Sequence, residues 1–167
     1  HVFLHFFPKL RCSYVVIVFW SSHCPVAMVK LLDEPVNIRS ILVPVKNITP
    51  QAIRTVRFAQ LFADANQGRI VLLHICDRRT SPEQIAQFEL EMAEVLAQGG
   101  PQVQARIKTV AYDDVAKVII RAAKSFDLVV LRSMRRRTAG GLAVSDVTTE
   151  AIKKLNCSIV LFGEPHS

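Results

Sequence analysis

The chain has 167 residues, half of them apolar and few of them aromatic, and it carries a formal net charge of +7. This length suits one domain with a sizeable core, and this composition excludes a disordered chain. Its four cysteines form no Cys-x-x-Cys pair and no metal-type cluster with the histidines, so we expect neither a metal site nor disulfide bonds, and we expect a reducing compartment such as the cytoplasm.

The first 37 residues differ from the rest of the chain. Residues 12–29 include no acidic or basic residue apart from His23, and such a stretch approaches the length of a membrane span. The polar run Ser21-Ser22-His23-Cys24-Pro25 interrupts it. Two interpretations stay open: a poorly structured leader or artefact, or the remnant of a membrane or targeting segment. We therefore divide the chain into residues 1–37, a leader or linker, and residues 38–167, the folded domain.

From Ile38 onward, short apolar runs alternate with helical patterns. A helix is predicted to begin at Thr49-Pro50, which supplies an N-cap and a first-turn proline, and another at the capping box of Ser81 and Gln84. The acidic pair Asp113-Asp114 predicts a third helix start, and a fourth helix is expected near Ser145. The predicted strands cover residues 41–45, 70–75, 103–110, 128–131 and 157–162.

This alternation predicts an α/β fold in three layers, α/β/α, with a doubly wound, mostly parallel five-stranded sheet. The third strand alternates apolar and polar residues, which is typical of a half-exposed edge strand. In such open sheets, ligands bind beyond the carboxyl ends of the strands. We therefore look for function in the loops that follow the strands.

The loop after the fourth strand concentrates positive charge. Arg132, Arg135, Arg136 and Arg137 supply +4 of the net charge, and the chain continues through a loop over residues 138–142 before the fourth helix. Guanidinium groups bind phosphate oxygens directly, so the loop favours an anionic ligand, although a solvated basic loop is the simpler alternative. Nucleic acid is not favoured, because no aromatic residue interleaves with the arginines.

Four short motifs in this order resemble the universal stress protein family: Ile41-Leu42-Val43-Pro44-Val45, Leu72-Leu73-His74-Ile75, Asp127-Leu128-Val129-Val130-Leu131 and Cys157-Ser158-Ile159-Val160-Leu161. The resemblance implies the strand order 3-2-1-4-5 and a homodimer through the last strand. It also implies a regulatory or stress-response module. Because such domains also occur appended to membrane proteins, a transporter or channel in the same polypeptide is a further interpretation.

The nucleotide-binding members of that family have an Asp after the first strand and Gly-x2-Gly-x9-Gly-Ser/Thr after the fourth, and this chain departs from both patterns. Lys46 stands at the Asp position, Arg132 and Arg135 at the first two glycines, and Ser145 and Asp146 at the closing pair. Glycines allow backbone N–H groups to approach phosphates, whereas arginines add bulk and Asp146 adds negative charge. We therefore predict a degraded ATP site and no cofactor, with ATP or AMP binding as the alternative.

No residue pattern predicts catalysis. His74 lies among apolar strand residues, where a buried histidine with one backbone partner is the simplest interpretation, and Asp113-Asp114 is explained by a helix start. No Gly-x-Ser-x-Gly nucleophile motif occurs. We therefore expect that the chain is not an enzyme. Three functions stay open: a non-catalytic regulatory module, a nucleotide- or anion-binding module, and the cytosolic regulatory domain of a membrane transporter or channel.

Overall fold

The computed structural model describes residues 26–32, 34, 37–98, 104–134, 136–138, 141–143 and 146–164. The helices are α1 (Pro50–Asn66), α2 (Pro82–Ala97), α3 (Val115–Ala123) and α4 (Asp146–Lys154). The strands are β1 (Val26–Lys30), β2 (Ser40–Val45), β3 (Arg69–Cys76), β4 (Ala105–Ala111), β5 (Leu128–Met134), β6 (Arg136–Thr138), β7 (Gly141–Ala143) and β8 (Ser158–Glu164). Within these described ranges, every helix is too short or too polar to cross a membrane.

Six strands form the main sheet, in the order β1-β8-β5-β2-β3-β4. The pairs β2–β3, β2–β5, β3–β4 and β5–β8 are all parallel. Each parallel step requires a crossover, and the helices supply it. The predicted α/β fold and the predicted order of its five parallel strands are therefore confirmed, and one antiparallel strand, β1, is added at the edge.

Strand β1 comes from the segment predicted as a leader or linker. It pairs antiparallel with β8 from Val26↔Gly163 to Lys30↔Ile159. The chain just after β1 is held as well, because the Leu32 N–H donates to Ser158 Oγ at 3.0 Å. The part of residues 1–37 that forms β1 is thus a strand of the sheet, and it covers the edge of β8 that was predicted to pair with a second copy. Proteins tend to pair or cover an apolar edge strand, and here β1 covers β8 within the same chain.

The core lies on both faces of the sheet. On one face, α1 and α2 contribute Val56, Ala59, Met92 and Leu96, which are buried against β2, β3 and β5. On the other face lie α3 and α4, and their buried residues there are Ile119, Ala123, Ala151 and Ile152. Because both faces are covered, the central strands are apolar on both sides, which explains their unbroken hydrophobic runs.

The helix starts follow the capping signals in the sequence. Thr49 Oγ1 accepts from the Ala52 N–H at 3.1 Å, and Asp114 Oδ1 accepts from the Lys117 N–H at 3.1 Å. The capping box of Ser81 and Gln84 is formed in both directions. Helix α1 ends with Gln67 in the left-handed conformation, at φ 53°, rather than with Gly68. Gly68 lies at a close backbone approach instead, since a Cβ there would lie 3.1 Å from the Arg39 carbonyl oxygen, which is tighter than most Cβ contacts.

Candidate functional site

A cleft opens at the carboxyl ends of β2 and β5, and we call it the β2/β5 cleft. Its described part encloses about 270 Å³. Strands β2 and β5 are neighbours, but the connection from β2 leads to β3 on one side and the connection from β5 leads to β8 on the other. Doubly wound sheets bind ligands at such a switch point. The polar side chains that line the cleft are Lys46, Asn47, Thr49, Thr55, Arg132 and Thr148.

Arg132 lines this cleft from the carboxyl-terminal part of β5. Its Nη1 donates to Thr49 Oγ1 at 3.3 Å, across 83 positions of sequence. Thr49 is the N-cap of α1, so the guanidinium group is held beside the positive end of a helix dipole. A cation placed beside this helix start raises the local positive potential. The arrangement therefore favours an anion in the cleft.

Lys46 adds a second cation to the same cleft. It directly follows β2, is exposed, and lines the cleft together with Arg132. The other described polar groups there are hydroxyls and an amide. At neutral pH such groups bind anions by charge and hydrogen bonds rather than transferring protons.

The structure brings together only part of the predicted site. Lys46 and Arg132 share the cleft, and Asp146 is the first residue of α4, which adds Thr148 to the lining. Arg135 and Ser145 lie outside the described residues. Sequence reasoning found Thr49 as a helix cap but missed its contact with Arg132. The available signal was its position, since an N-cap that follows β2 lies at the same sheet edge as the end of β5.

The segment predicted as a basic loop is largely extended. β5 continues beyond the predicted end at Leu131 to Met134, because β8 runs beside it in parallel register, with Arg132 opposite Phe162. Arg132 is therefore a strand residue. The loop predicted over residues 138–142 is also wrong for its described part, since β6 and β7 pair antiparallel from Arg136↔Ala143 to Thr138↔Gly141. Arg136 and Arg137 thus belong to a hairpin beyond the main sheet.

His74 is buried in β3, as expected, but its partner is a side chain rather than the backbone. Its Nδ1 lies 3.3 Å from Thr109 Oγ1, which donates to Glu89 Oε1 at 2.7 Å. The ring stacks on Phe88 with 3.5 Å between the centroids. Burial lowers the pKa of His74, although the Glu89 carboxylate opposes this effect. These contacts place His74 against α2, and the described lining of the β2/β5 cleft does not include it.

The acidic pair before α3 has a structural role. Asp114 caps the helix, and the Asp113 carboxylate lies 3.4 Å from Arg78 Nε in an exposed ion pair. The interpretation of this pair as a helix start is therefore confirmed.

Comparison with known proteins agrees with this architecture. The model of the Universal stress protein family matches residues 37–163. The chain belongs to the universal stress protein family. Its members among solved structures include a universal stress protein from Archaeoglobus fulgidus, 19% identical, with a TM-score of 0.59, over 74% of this chain and 98% of that one. A second structure, the Archaeoglobus fulgidus protein in complex with dAMP, is 17% identical with a TM-score of 0.54, over 74% and 97%.

A curated relative carries the family domain within a larger protein. The chain is 44% identical over 159 residues to the Na(+)/H(+) antiporter NhaS5 of Synechocystis sp., and this match covers 95% of the chain. It covers only 23% of the antiporter. The chain therefore spans about a quarter of the length of that relative. The similarity to the solved structures, at less than 20% identity, concerns the fold alone.

Proposed function

We propose that this chain is a non-catalytic regulatory domain on the cytosolic side of a Na+/H+ antiporter-type membrane transporter. The observation that carries the proposal is the 44% identity with an antiporter across 95% of the chain. Membership of the universal stress protein family supports a regulatory role. The cationic and hydroxyl lining of the β2/β5 cleft supports binding of an anionic signal rather than turnover of a substrate. A free-standing stress-response module is the alternative.

Transport measurements on the native polypeptide test this proposal. Antibodies against the domain should detect a membrane-bound protein well above 18.7 kDa, the mass of this chain. In everted membrane vesicles, deletion of the domain should leave Na+/H+ exchange in place but change its dependence on pH or salt. A soluble native product of about the size of this chain, or unaltered transport after deletion, would contradict the proposal.

The second candidate function is binding of a phosphate-type anion in the β2/β5 cleft. The specific observation is the Arg132 guanidinium held at the start of α1 by Thr49, with Lys46 lining the same cleft. We propose that Arg132, Arg135 and Lys46 replace the family's glycine loop, and that Ser145 and Asp146 do not complete a tight ATP site. Losing two charge-assisted hydrogen bonds, at about 1.5 to 3 kcal/mol each, would move a micromolar ATP site towards millimolar affinity.

Calorimetric titration at physiological salt separates these alternatives. We expect inorganic phosphate, AMP and Mg-ATP all to bind in the millimolar range, and Arg132→Ala to weaken all three. Arg79→Ala, at an exposed position outside the described cleft lining, is the matched control and should change nothing. Micromolar Mg-ATP binding that Arg132→Gly/Arg135→Gly weakens would overturn the degraded-site proposal and favour a nucleotide site built from arginines.

The homodimer remains a proposal in an altered form. Pairing of two copies through β8 would require β1 to leave the edge it occupies. We therefore propose that the chain dimerises through β8 only when β1 is displaced.

A further inference from the structure

A second concave surface lies on the opposite side of the sheet from α1 and α2. It is a groove of about 590 Å³ between the edge strand β4 and helix α3. Its apolar lining includes Val71, Leu73, Val110, Val118 and Phe126, of which only Leu73 is fully buried. We call this surface the basic groove, because Arg106, Lys108, Lys117 and Arg121 also line it.

The groove exists because, among the described residues, the two helices on this face leave β4 uncovered. Helix α3 packs on β2 and β3, and α4 packs on β5. On the opposite face, α2 reaches β4, whose Ala105 and Ile107 pack against the cluster that contains Met92. In the part of the chain that the structure describes, no further helix lies over β4 beside α3. The groove therefore lies where a further helix could pack on the sheet, and its base is apolar.

The charges are arranged along both walls of the groove. Arg106 and Lys108 are alternate residues of β4, so they share one face with Val110 and stand about 7 Å apart. Lys117 and Arg121 are one helical turn apart on α3, about 6 Å. All four side chains are exposed. Lys117 pairs with Asp114 at 3.3 Å, but the described residues that line the groove include no carboxylate.

We propose that the basic groove binds an acidic amphipathic helix of a partner polypeptide. The apolar face of this helix packs on Val71, Val110 and Phe126, and its flanking carboxylates meet the cations on both walls. This is helix-in-groove recognition. The inference does not depend on whether the chain belongs to a transporter.

The distribution of charge favours an acidic helix of a partner over a fatty acid, another segment of this chain or a second copy of the chain. A fatty acid has one head group and would engage one end of the groove, whereas two charges on each wall match a helix with several carboxylates. Residues 1–25 of this chain include no Asp or Glu, and residues 99–103 and 165–167 include none either, so these segments lack the required charge. The acidic outer face of α2 in a second copy offers one exposed leucine, Leu90, rather than an apolar stripe.

The length of the groove defines a probe. Strand β4 has seven residues, or about 23 Å at about 3.3 Å per residue, and a helix of about 15 residues has that length. The probe is a labelled peptide of this length with leucines at i, i+3, i+4 and i+7 and glutamates on both flanks. The matched peptide has lysines in place of the glutamates.

Binding is measured by fluorescence polarisation and located by amide chemical shifts. We expect micromolar binding of the acidic peptide only, with shifts confined to β4, α3, neighbouring β3 and residues 125–126, which also line the groove. Arg106→Glu/Arg121→Glu should weaken it about tenfold or more and permit binding of the lysine peptide. Arg79→Glu/Lys124→Glu, with two reversals at exposed positions outside the groove, is the control and should stay within about twofold of the unmodified chain.

Several outcomes would overturn the inference: no binding up to millimolar peptide, equal binding of the two peptides, shifts centred elsewhere, or equal effects of the two double variants. Oleate that shifts the groove resonances in the absence of peptide binding would assign the groove to a lipid. Groove-dependent self-association in light scattering would assign it to a second copy. If circular dichroism shows that the reversed variant is unfolded, Arg106→Gln/Arg121→Gln is used in its place.

Discussion

Asp127 links the starts of the two central strands, and its removal should destabilise the domain. It immediately precedes β5, and its Oδ2 accepts three hydrogen bonds from the start of β2. The Arg39 and Ser40 N–H groups donate at 3.0 Å each, and Ser40 Oγ donates at 2.9 Å. The Asp127 N–H donates back to the Ser40 carbonyl oxygen at 3.0 Å. One carboxylate therefore fixes where β2 and β5 begin to pair.

Hydrogen bonds to a charged acceptor contribute about 1.5 to 3 kcal/mol each, but they are not additive, and water can replace them at this exposed position. We expect Asp127→Ala to lower the free energy of unfolding by about 2 to 3 kcal/mol, or Tm by about 5 to 10 °C. Asp127→Asn keeps an acceptor oxygen without the charge and should cost about 1 kcal/mol. Urea unfolding followed by circular dichroism measures both values.

The pH dependence of stability gives an independent check. Burial by itself raises the pKa of Asp127, but the hydrogen bonds from Arg39 and Ser40 together outweigh it and hold the pKa below its usual value. The stabilisation is therefore present above pH about 4 and is lost as the pH falls through the lowered folded-state pKa. Asp127→Asn should remove this part of the acid sensitivity.

Asp113→Ala is the matched control, because Asp113 forms only an exposed ion pair with Arg78, and it should change stability by less than about 0.5 kcal/mol. If Asp127→Ala is no more destabilising than this control, then the carboxylate does not link the strands in solution and the reasoning is wrong.

Three further predictions concern other parts of the fold. Burial lowers the pKa of His74, so the free energy of unfolding should be highest above pH about 6.5 and should fall as the pH drops through the lower folded-state pKa. Urea unfolding between pH 5 and 8 should show this slope, and His74→Asn should flatten it. Met92→Ala should lower the free energy of unfolding by about 2 to 5 kcal/mol, measured by thermal or urea unfolding, because Met92 is fully buried. Leu90→Ala, at an exposed position on the same helix, should lower it by less than about 1 kcal/mol. A chain that starts at Leu31 should still melt cooperatively but form dimers in light scattering, because the β8 edge is then uncovered; a monomer at high micromolar concentration would contradict this.

Much of the fold could be predicted from short stretches of sequence. The caps at Thr49, Ser81 and Asp114 each satisfy backbone donors within three residues, so the signal and its structural effect lie in the same few positions. The unbroken apolar runs of β2 and β5 indicated strands covered on both sides, and the alternation in β4 indicated an edge. For the candidate site, the sequence identified Lys46 and Arg132 because they stand at the positions of the family's Asp and first glycine, just after the predicted ends of two strands.

What only the tertiary structure decided involves partners that are distant in sequence. Val26–Lys30 becomes a strand because the edge of β8, more than 125 residues later, offers unpaired N–H and C=O groups. Arg132 lies in a strand because β8 extends beside it, and its contact with Thr49 depends on how α1 is positioned against β5. The basic groove likewise follows from which face of the sheet each helix covers. Local hydrogen bonds and periodicity are determined by neighbouring residues, whereas strand pairing, edge covering and concave surfaces depend on how all the elements pack together.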